Sequence, residues 1–303
     1  MKYKIVLFGV KEETNLIIDK FKSDIDLLVT LSPEEKSKYK ISGERKNKFS
    51  FNNIFYSDSY KFSSSKCLDF FKKNKFDLGI VVGWQRLIPQ EILDCFKIGI
   101  FGFHASPMGL PYGKGRSPAN WSLILGFNHV FNHFFKYDSK ADNGKIYKNK
   151  KINILPWDNI KSLKEKILLD QINSIKDLIR DYNNDNIKLS EQNKSIFESF
   201  FPKRSLEDGK INFTNTTENI YNLIRGCSYP FPGAFVDYNN NNITIWEAYP
   251  FSYEDLFPNS KVGQIVKIYD DKSFIFKTID GSILVKKWES KNKLNINLGK
   301  QLK

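Results

Sequence analysis

Short apolar runs alternate with helix-like segments through the first hundred residues, and this alternation limits the fold more than any other feature of the sequence. Segments typical of helices lie between or beside the runs, at residues 13–22, 64–74 and 90–95. The runs have the length of buried strands and cover residues 4–9, 27–31, 76–84 and 98–103. Strands that alternate with helices favour an α/β fold. We therefore predict a doubly wound, Rossmann-like N-terminal domain with a mostly parallel sheet.

One part of this region carries no clear pattern. Residues 32–60 are polar and rich in Ser, Lys, Asn and Asp, so we expect a long connection with little regular structure. The first strand also ends without a Gly-x-Gly-x-x-Gly fingerprint, which gives no support to a dinucleotide site.

The composition changes near residue 200. Before it, residues 159–182 form the strongest amphipathic helix pattern in the chain, with apolar residues at steps of three and four. After a helix predicted at 217–225, short alternating strands and turn signals follow. We therefore expect two domains: a larger one over residues 1–200, and a smaller β-barrel-like, OB-like domain over residues 201–303.

Charge and cysteine content narrow the classes of function. The formal net charge of +13 would suit a nucleic-acid partner, but the lysines are scattered instead of forming a patch, so nucleic acid is not the favoured partner. Three cysteines without metal-like spacing indicate reduced thiols and no metal site. No apolar run approaches the roughly 18–20 residues that span a bilayer. We expect a cytoplasmic protein without membrane insertion.

The stretch 99–147 concentrates the residues that are capable of chemistry. An apolar strand ends at His104, and a loop dense in Gly and Pro follows it. After a helix-like segment and a second strand at 131–137, a turn carries Asp142. Each residue alone is as compatible with packing or solvated surface as with function. Their coincidence in one strand–loop–helix–strand–turn unit favours a functional site.

The motif HASPMGLPYGKGRSPANW, followed by YDSKADNGKIY, resembles the N10-formyltetrahydrofolate-dependent formyltransferases. In that family a strand ending in Asn-x-His leads into a small-Ser-x-x-Pro loop and a basic Arg-Gly turn, and a later Asp-x-Gly completes the set. The likeness is closest to the sugar N-formyltransferases, which formylate the amine of a nucleotide-linked amino sugar. Weaker similarity, including residues 225–234, extends over nearly the whole chain.

The resemblance implies a role for each polar residue of the stretch. His104 is the expected base for the proton of the acceptor amine, because imidazole titrates near working pH, and Asp142 orients the ring. The sugar nucleotide is expected to meet hydroxyls and cations of the loop, at Ser106, Tyr112, Lys114 and Arg116. The folate, as formyl donor, is expected beside a strand end and the later turn, at Trp84, Arg86, Leu87, Tyr137 and Asp138.

One position departs from the family pattern. The catalytic Asn that precedes the histidine by two residues is Gly102 here, and glycine has no side-chain donor for the oxyanion that forms on the formyl group. Asn120, on the helix after the loop, is the candidate substitute, with Ser106 or a backbone N–H as alternatives. His129 and His133 flank the second strand without a third metal-type ligand, so we expect them to pack or to lie at the surface.

These expectations favour an enzyme that moves the formyl group of N10-formyltetrahydrofolate to the amine of a nucleotide-linked amino-deoxy sugar. Its product would serve surface polysaccharide or glycan synthesis, such as lipopolysaccharide O-antigen. A methionyl-tRNA formyltransferase, which shares the two-part layout, is the first alternative. A folate or sugar-nucleotide binding protein that has lost catalysis through Gly102 is the second. The sequence does not fix the oligomeric state, and a homodimer through the C-terminal part is compatible with it.

Overall fold

The computed structural model describes residues 1–38, 49–84, 86–292 and 294–303. The chain folds into two compact units. The first unit comprises Met1–Gly115, Phe131–Ile152 and Lys166–Phe200, and the second comprises Arg116–Val130, Asn153–Glu165 and Phe201–Lys303.

Strands and helices alternate through the first part of the chain, as the apolar runs predict. They are β1 (Lys2–Phe8), α1 (Glu12–Phe21), β2 (Leu27–Leu31), α2 (Pro33–Ser37), β3 (Ile54–Ser57), α3 (Ser65–Lys73), β4 (Lys75–Val81), α4 (Gln90–Leu93) and β5 (Phe96–Ser106). The serine run before α3 caps that helix as expected, because the Ser64 hydroxyl accepts the N–H of Cys67 at 3.2 Å.

The prediction of an irregular connection over residues 32–60 is wrong at both of its ends. Ser32 caps α2 by accepting the N–H of Glu35, with a proline at the first helical position. Four residues at 54–57 form β3, which pairs parallel with β2. So short a strand in a polar context leaves no periodic signal. Residues 39–48 of the predicted connection lie outside the described residues.

The middle of the chain completes the large sheet. Its elements are β6 (Lys114–Gly115), α5 (Pro118–Ile124), β7 (His129–Lys136), β8 (Ile146–Asn153), α6 (Ile160–Asn183) and β9 (Phe200–Phe201). Within the described ranges, seven strands form one sheet in the order β3-β2-β1-β4-β5-β7-β8. The first five are parallel, and β7 runs antiparallel to β5. This order confirms the doubly wound, mostly parallel architecture.

Alternate side chains of the central strands feed two cores, one on each face of the sheet. Val6 and Phe8 pack with Phe71 of α3 on one face. Leu7 on the other face packs with Ile18 of α1 and with apolar residues of α6. Because both faces are covered, the central strands are apolar throughout instead of alternating.

The second unit contains an antiparallel sheet, as the short alternating strands predict. Its elements in the C-terminal part are α7 (Thr217–Cys227), β10 (Ala234–Tyr238), β11 (Asn241–Ser252), β12 (Ile265–Ile268), β13 (Phe274–Lys277) and β14 (Ser282–Ser290). The strand order is β10-β11-β14-β13-β12. The last residues bridge both edges, because Lys303 exchanges backbone hydrogen bonds with Asp237 of β10, and Lys300 accepts the N–H of Ile265 of β12. This bridging gives the sheet its barrel-like closure.

Candidate active site

His104 lies near the carboxyl end of β5, where the parallel part of the sheet meets an antiparallel strand. β5 pairs with β7 there, so that His104 is opposite His133 and Gly102 is opposite Phe135. Side chains two residues apart on a strand share a face. One face of this strand pair therefore presents His104 beside the position of Gly102.

The His104 ring lies between two hydrogen-bond acceptors. Its Nε2 is 2.7 Å from the carbonyl oxygen of Gly113, and its Nδ1 is 3.4 Å from Oδ1 of Asp142. A carbonyl oxygen only accepts, so Nε2 carries the hydrogen of this bond, and in that tautomer the lone pair lies on Nδ1. Nδ1 can then accept a proton, and the carboxylate faces the positive charge that results. The His104 side chain is 6% exposed and that of Asp142 is 19% exposed, so the pair borders solvent at the carboxylate.

Asp142 is held in place by bonds to both its side chain and its backbone. Its Oδ2 accepts the N–H of Gly115 at 3.0 Å, and its carbonyl oxygen accepts a hydrogen from Nε2 of Gln192 at 2.8 Å. Its φ of +52° lies in the left-handed region, which costs a non-glycine residue of order 1–3 kcal/mol. The surrounding bonds offset this strain, and the result is a carboxylate aimed at His104.

A close approach of two backbone segments explains the glycine of the Asp-x-Gly motif. A Cβ built on Gly144 would lie 1.6 Å from the carbonyl oxygen of Lys136. The Lys136 N–H donates to the carbonyl of Lys145 at 2.9 Å, so the end of β7 and the start of β8 are bonded at this point. Only glycine permits this approach, which fixes the turn that carries Asp142.

Lys114 is buried, with 2% of the residue exposed. Its Nζ donates to Oε1 of Glu198 at 2.6 Å and to Oδ1 of Asn143 at 3.0 Å. Asn143 in turn donates to Asp138 at 3.2 Å, and Asp138 also accepts the N–H of Lys140. The structure thus places Lys114 and Asp138 in the hydrogen-bond network of the turn beside Asp142.

The Gly- and Pro-rich loop is closed by its own polar residues. The Ser106 hydroxyl, which is fully buried, donates to the carbonyl oxygen of Tyr112. The Tyr112 ring packs edge-on against Phe197, with ring centroids 5.1 Å apart. Both predicted substrate contacts therefore shape the loop whose Gly113 carbonyl faces His104.

His133 is buried and packs beside His104, in agreement with the expectation from the sequence that it packs or lies at the surface. Its Nε2 accepts the N–H of Leu110 at 3.2 Å, and its Nδ1 donates to the carbonyl of His104 at 3.3 Å. Burial lowers the pKa of His133 to about 4, so the ring is neutral at physiological pH and ties the loop to the strand end. Its position opposite His104 depends on strand register, and the sequence gives no signal for that register.

Three of the residues predicted to border the folate, Trp84, Arg86 and Leu87, differ in their surroundings. Trp84 is 9% exposed and stacks on Phe62 with ring centroids 5.2 Å apart, and its indole N–H has no hydrogen-bond partner in the described part of the chain. The Arg86 guanidinium lies 5.5 Å from the centre of the Tyr60 ring. Leu87 is exposed. The Trp84 ring therefore belongs to the aromatic core, whereas Leu87 lies at the surface.

Tyr137 follows β7 and lies over Gly102. Its N–H donates to the carbonyl of Ile100 at 2.7 Å, and its ring packs on Phe135 with centroids 5.3 Å apart. Burial, and then the charge of Asp142, raise the pKa of the Tyr137 phenol well above its usual value, so the hydroxyl keeps its proton.

Arg116 and Asn120 belong to the second unit. The buried Asn120 amide donates to the carbonyl of Gly226 at 2.8 Å, where α5 packs on α7. The Arg116 N–H donates to the carbonyl of Phe201 at 3.1 Å, and its guanidinium forms no bond or ion pair with the residues that the structure describes. The Asn120 side-chain N–H is thus used in helix packing.

Metal binding and membrane crossing are two further properties that the described residues bear on. No group of three or more His, Cys, Asp or Glu side chains among them could hold a metal ion. Within the same ranges, every helix is too short or too polar to cross a membrane.

Comparisons with known proteins address the whole chain. The Formyl transferase family model matches residues 4–176, and the model of the formyl transferase C-terminal domain matches residues 203–300. A methionyl-tRNA formyltransferase of Fusobacterium nucleatum subsp. nucleatum is 27% identical over 249 residues, which are 80% of this chain and 76% of the relative.

Solved structures share the fold at low sequence identity. WlaRD, a sugar 3N-formyl transferase crystallised in the presence of dTDP and 5-N-formyl-THF, superposes with a TM-score of 0.66 at 19% identity, covering 96% of this chain and 98% of that one. HypX from Aquifex aeolicus, in complex with tetrahydrofolic acid, gives a TM-score of 0.66 at 14% identity, and 96% of this chain spans only 45% of HypX. The family identity predicted from the His104 motif is confirmed: the chain belongs to the formyl transferase family and is a formyl-transfer enzyme.

Proposed function

We propose that this enzyme transfers the formyl group of N10-formyltetrahydrofolate to the amine of a nucleotide-linked amino sugar, for glycan or surface polysaccharide synthesis. The observation that carries the chemistry is the 3.4 Å pair of His104 Nδ1 and Asp142 Oδ1 at the carboxyl end of β5. Ligands of open α/β sheets bind outside the carboxyl ends of the strands. The folate assignment is supported by the two superposed proteins, which were crystallised with formyl-THF and with tetrahydrofolic acid.

Formyl transfer requires an uncharged amine, because an ammonium has no lone pair for attack. His104 accepts the amine proton on Nδ1, while its Nε2–H stays bonded to the Gly113 carbonyl. Asp142 stabilises the imidazolium through Oδ1 and holds its orientation through the bond from Gly115. The proton then passes to N10 of the departing folate, so His104 is neutral again at the end of each turnover.

The remaining residues are assigned by what they offer a ligand. Arg116 offers a planar fork suited to a diphosphate, whereas the Lys114 ammonium is already paired with Glu198. Ser106 and Tyr112 shape the acceptor loop. The folate assignments are kept for the residues at the β4 end and the later turn, namely Trp84, Arg86, Leu87, Tyr137 and Asp138. We place the boundary between the catalytic and the C-terminal domains near residue 200.

The charge of the C-terminal part favours a small acceptor over tRNA. Residues 201–303 contain fourteen Lys and Arg residues and eleven Asp and Glu residues. Several of these lysines are ion-paired, including Lys210 with Asp237 at 2.6 Å and Lys277 with Asp255 at 2.8 Å. Nucleic acid binding draws on a concentrated positive surface, and this near-balance supplies little of one.

Methionyl-tRNA formyltransferase is the second candidate. It is favoured by the 27% identical relative of that name, which matches 80% of this chain. An acceptor tRNA would bind with an affinity that falls steeply as salt rises, because each phosphate contact releases counterions. A sugar nucleotide, with two phosphates, would show a much weaker dependence.

One assay separates the candidates. The enzyme is incubated with N10-formyltetrahydrofolate and either a panel of dTDP-, UDP- and GDP-linked amino sugars or methionyl-tRNA, and both tetrahydrofolate and the formylated product are quantified. We expect turnover with an amino sugar and none with the tRNA. Turnover with methionyl-tRNA alone would replace the proposal by the second candidate. Ligand binding without any turnover would instead indicate a binding protein with impaired catalysis.

The role of His104 is tested in the same assay. His104→Ala should lower kcat by roughly 10²–10⁴-fold, the usual contribution of a general base. His129→Ala is the matched control, because His129 lies at the start of β7 and bonds to the neighbouring Asn128. Equal losses in both variants would remove His104 from the mechanism.

A further inference from the structure

The place of the side chain that Gly102 lacks is filled by another residue. A Cβ built on Gly102 would lie 2.2 Å from the Tyr137 hydroxyl oxygen, and 2.4 and 2.5 Å from two carbons of its ring. Gly102 and His104 share a face of β5. The Tyr137 hydroxyl therefore lies where a side chain of residue 102 would project, on the face that carries His104.

Packing and backbone bonds fix the Tyr137 hydroxyl in this place. The N–H of Tyr137 is bonded to Ile100, two residues before Gly102, and its ring lies against Phe135, which is directly opposite Gly102. A tyrosine side chain has two rotatable bonds before the ring, and both are constrained by these contacts. The hydroxyl is consequently a preorganised group, as effective oxyanion donors are.

This hydroxyl is a proton donor without a protein partner. It makes no hydrogen bond to any residue in the described ranges, although it lies close enough to Asp142 to respond to its charge. Tyr137 is half-buried, and its hydroxyl is not one of the fully buried polar atoms that lack a partner, so it is open to a ligand beside the His104–Asp142 pair. A bound ligand oxygen would provide the missing acceptor.

We propose that the Tyr137 hydroxyl donates a hydrogen bond to the formyl oxygen and stabilises the oxyanion that develops there during transfer. The inference rests on the proposed formyl transfer at His104, and not on which amine is the acceptor. The amine nitrogen forms a bond to the formyl carbon, and the C=O π pair moves to the oxygen that Tyr137 contacts. On collapse the C–N10 bond breaks, the amine proton goes to His104, and N10 receives a proton from it. This position of the hydroxyl requires a glycine at residue 102, because any side chain there would displace the phenol.

Tyr137→Phe is the direct kinetic test, because it removes the hydroxyl and keeps the ring over Gly102. Loss of one oxyanion donor lowers kcat by about 10²–10³-fold. We expect that loss with little change in KM for the folate, since the contact strengthens in the transition state. Tyr147→Phe is the matched control, because the Tyr147 hydroxyl is bonded to Asp181 at 2.7 Å. A Tyr137→Phe enzyme with a kcat within about threefold of wild type would overturn the proposal.

A spectroscopic measurement makes the test independent of the acceptor. The stable donor analogue 10-formyl-5,8-dideazafolate, with and without ¹³C in its formyl carbon, is bound to each variant and its carbonyl stretch is isolated by isotope-edited infrared difference spectroscopy. We expect a lower frequency in wild type and Tyr147→Phe than in Tyr137→Phe. Identical frequencies in all three would overturn the role of Tyr137. Failure to find an accepted amino sugar would contradict the acceptor proposal alone, and the infrared comparison would still decide on Tyr137.

Discussion

The two units differ in how they place their charged and polar side chains. Around His104, two ionisable side chains are almost fully buried, because only 2% of Lys114 and 3% of His133 are exposed. In the C-terminal sheet most ion pairs lie at the surface, as the 38% and 58% exposures of the Lys286 and Asp271 side chains show, although Lys277 of β13 is buried. Burial of a polar group is costly unless each of its bonds is made, whereas a surface pair contributes little either way. Buried polar groups with hydrogen-bond partners therefore indicate that the geometry around His104 is the one that matters for chemistry.

The largest expected effect tests whether the site depends on backbone geometry. Gly144→Ala places a Cβ 1.6 Å from the Lys136 carbonyl oxygen, which is backbone and cannot rotate away. We expect a loss of roughly 3–5 kcal/mol in the free energy of unfolding, or rearrangement of the turn with loss of activity. Urea denaturation and the formyl-transfer assay measure the two outcomes.

The control for Gly144→Ala is the neighbouring Lys145→Ala, whose side chain is 59% exposed and paired with an exposed Glu191. It should change the free energy of unfolding by less than about 0.5 kcal/mol. A harmless Gly144→Ala would mean that the turn carrying Asp142 is not constrained by this approach.

The next effect is a pH dependence that belongs to the first unit. Burial lowers the pKa of His133 from its ordinary value of 6.5 to about 4 in the folded protein. The unfolded chain binds this proton more tightly than the folded protein does. The contribution of His133 to the free energy of unfolding is therefore fully present above pH 6.5 and is lost as the pH falls toward 4. The contribution is roughly 3 kcal/mol, given 1.36 kcal/mol for each pH unit. Urea unfolding between pH 7.5 and pH 4 measures it.

His133→Asn should flatten this part of the pH profile, at the cost of lower stability at pH 7.5. The loss at neutral pH follows from the bond to the Leu110 N–H, which an asparagine reaches less well. If wild type and His133→Asn lost stability in parallel between pH 6.5 and pH 4, the dependence would come from other groups.

The smallest effects come from one substitution made in both regions. Lys114→Met leaves Glu198 and Asn143 without their buried donor, so the free energy of unfolding should fall by about 1–3 kcal/mol. Lys286→Met removes an exposed pair with Asp271 and should change it by less than about 1 kcal/mol. Equal effects in the two variants, measured by urea denaturation at one pH, would erase the contrast between the regions.

Much of the scaffold could be predicted from the sequence because its signals are local. The apolar runs at 4–9 and 27–31 are β1 and β2, and the serine cap before α3 and the antiparallel C-terminal strands are also present. The motif around His104 predicted the family. Asp142 could be paired with His104 through the Asp-x-Gly of the same motif set, because β7, which precedes Asp142, runs antiparallel to β5 and gives no such signal by itself.

What escaped prediction depends on contacts between residues distant in the chain. β3 is stabilised by pairing with β2 and not by its own four residues. The stacking of the Trp84 ring on Phe62 is such a contact. The bond from Nζ of Lys114 to Glu198, 84 residues away, is another.

The sequence by itself determined the layered α/β architecture and the formyl transferase family, and it singled out His104 and Asp142, which the structure brings to 3.4 Å. Each of these follows from short-range sequence patterns, namely apolar periodicity, turn residues and a contiguous motif. Only the tertiary structure decided what occupies the space at Gly102, because strand register and the return of the chain after β7 bring Tyr137 there. A missing side chain is visible in a sequence, but the group that fills its place is set by long-range packing.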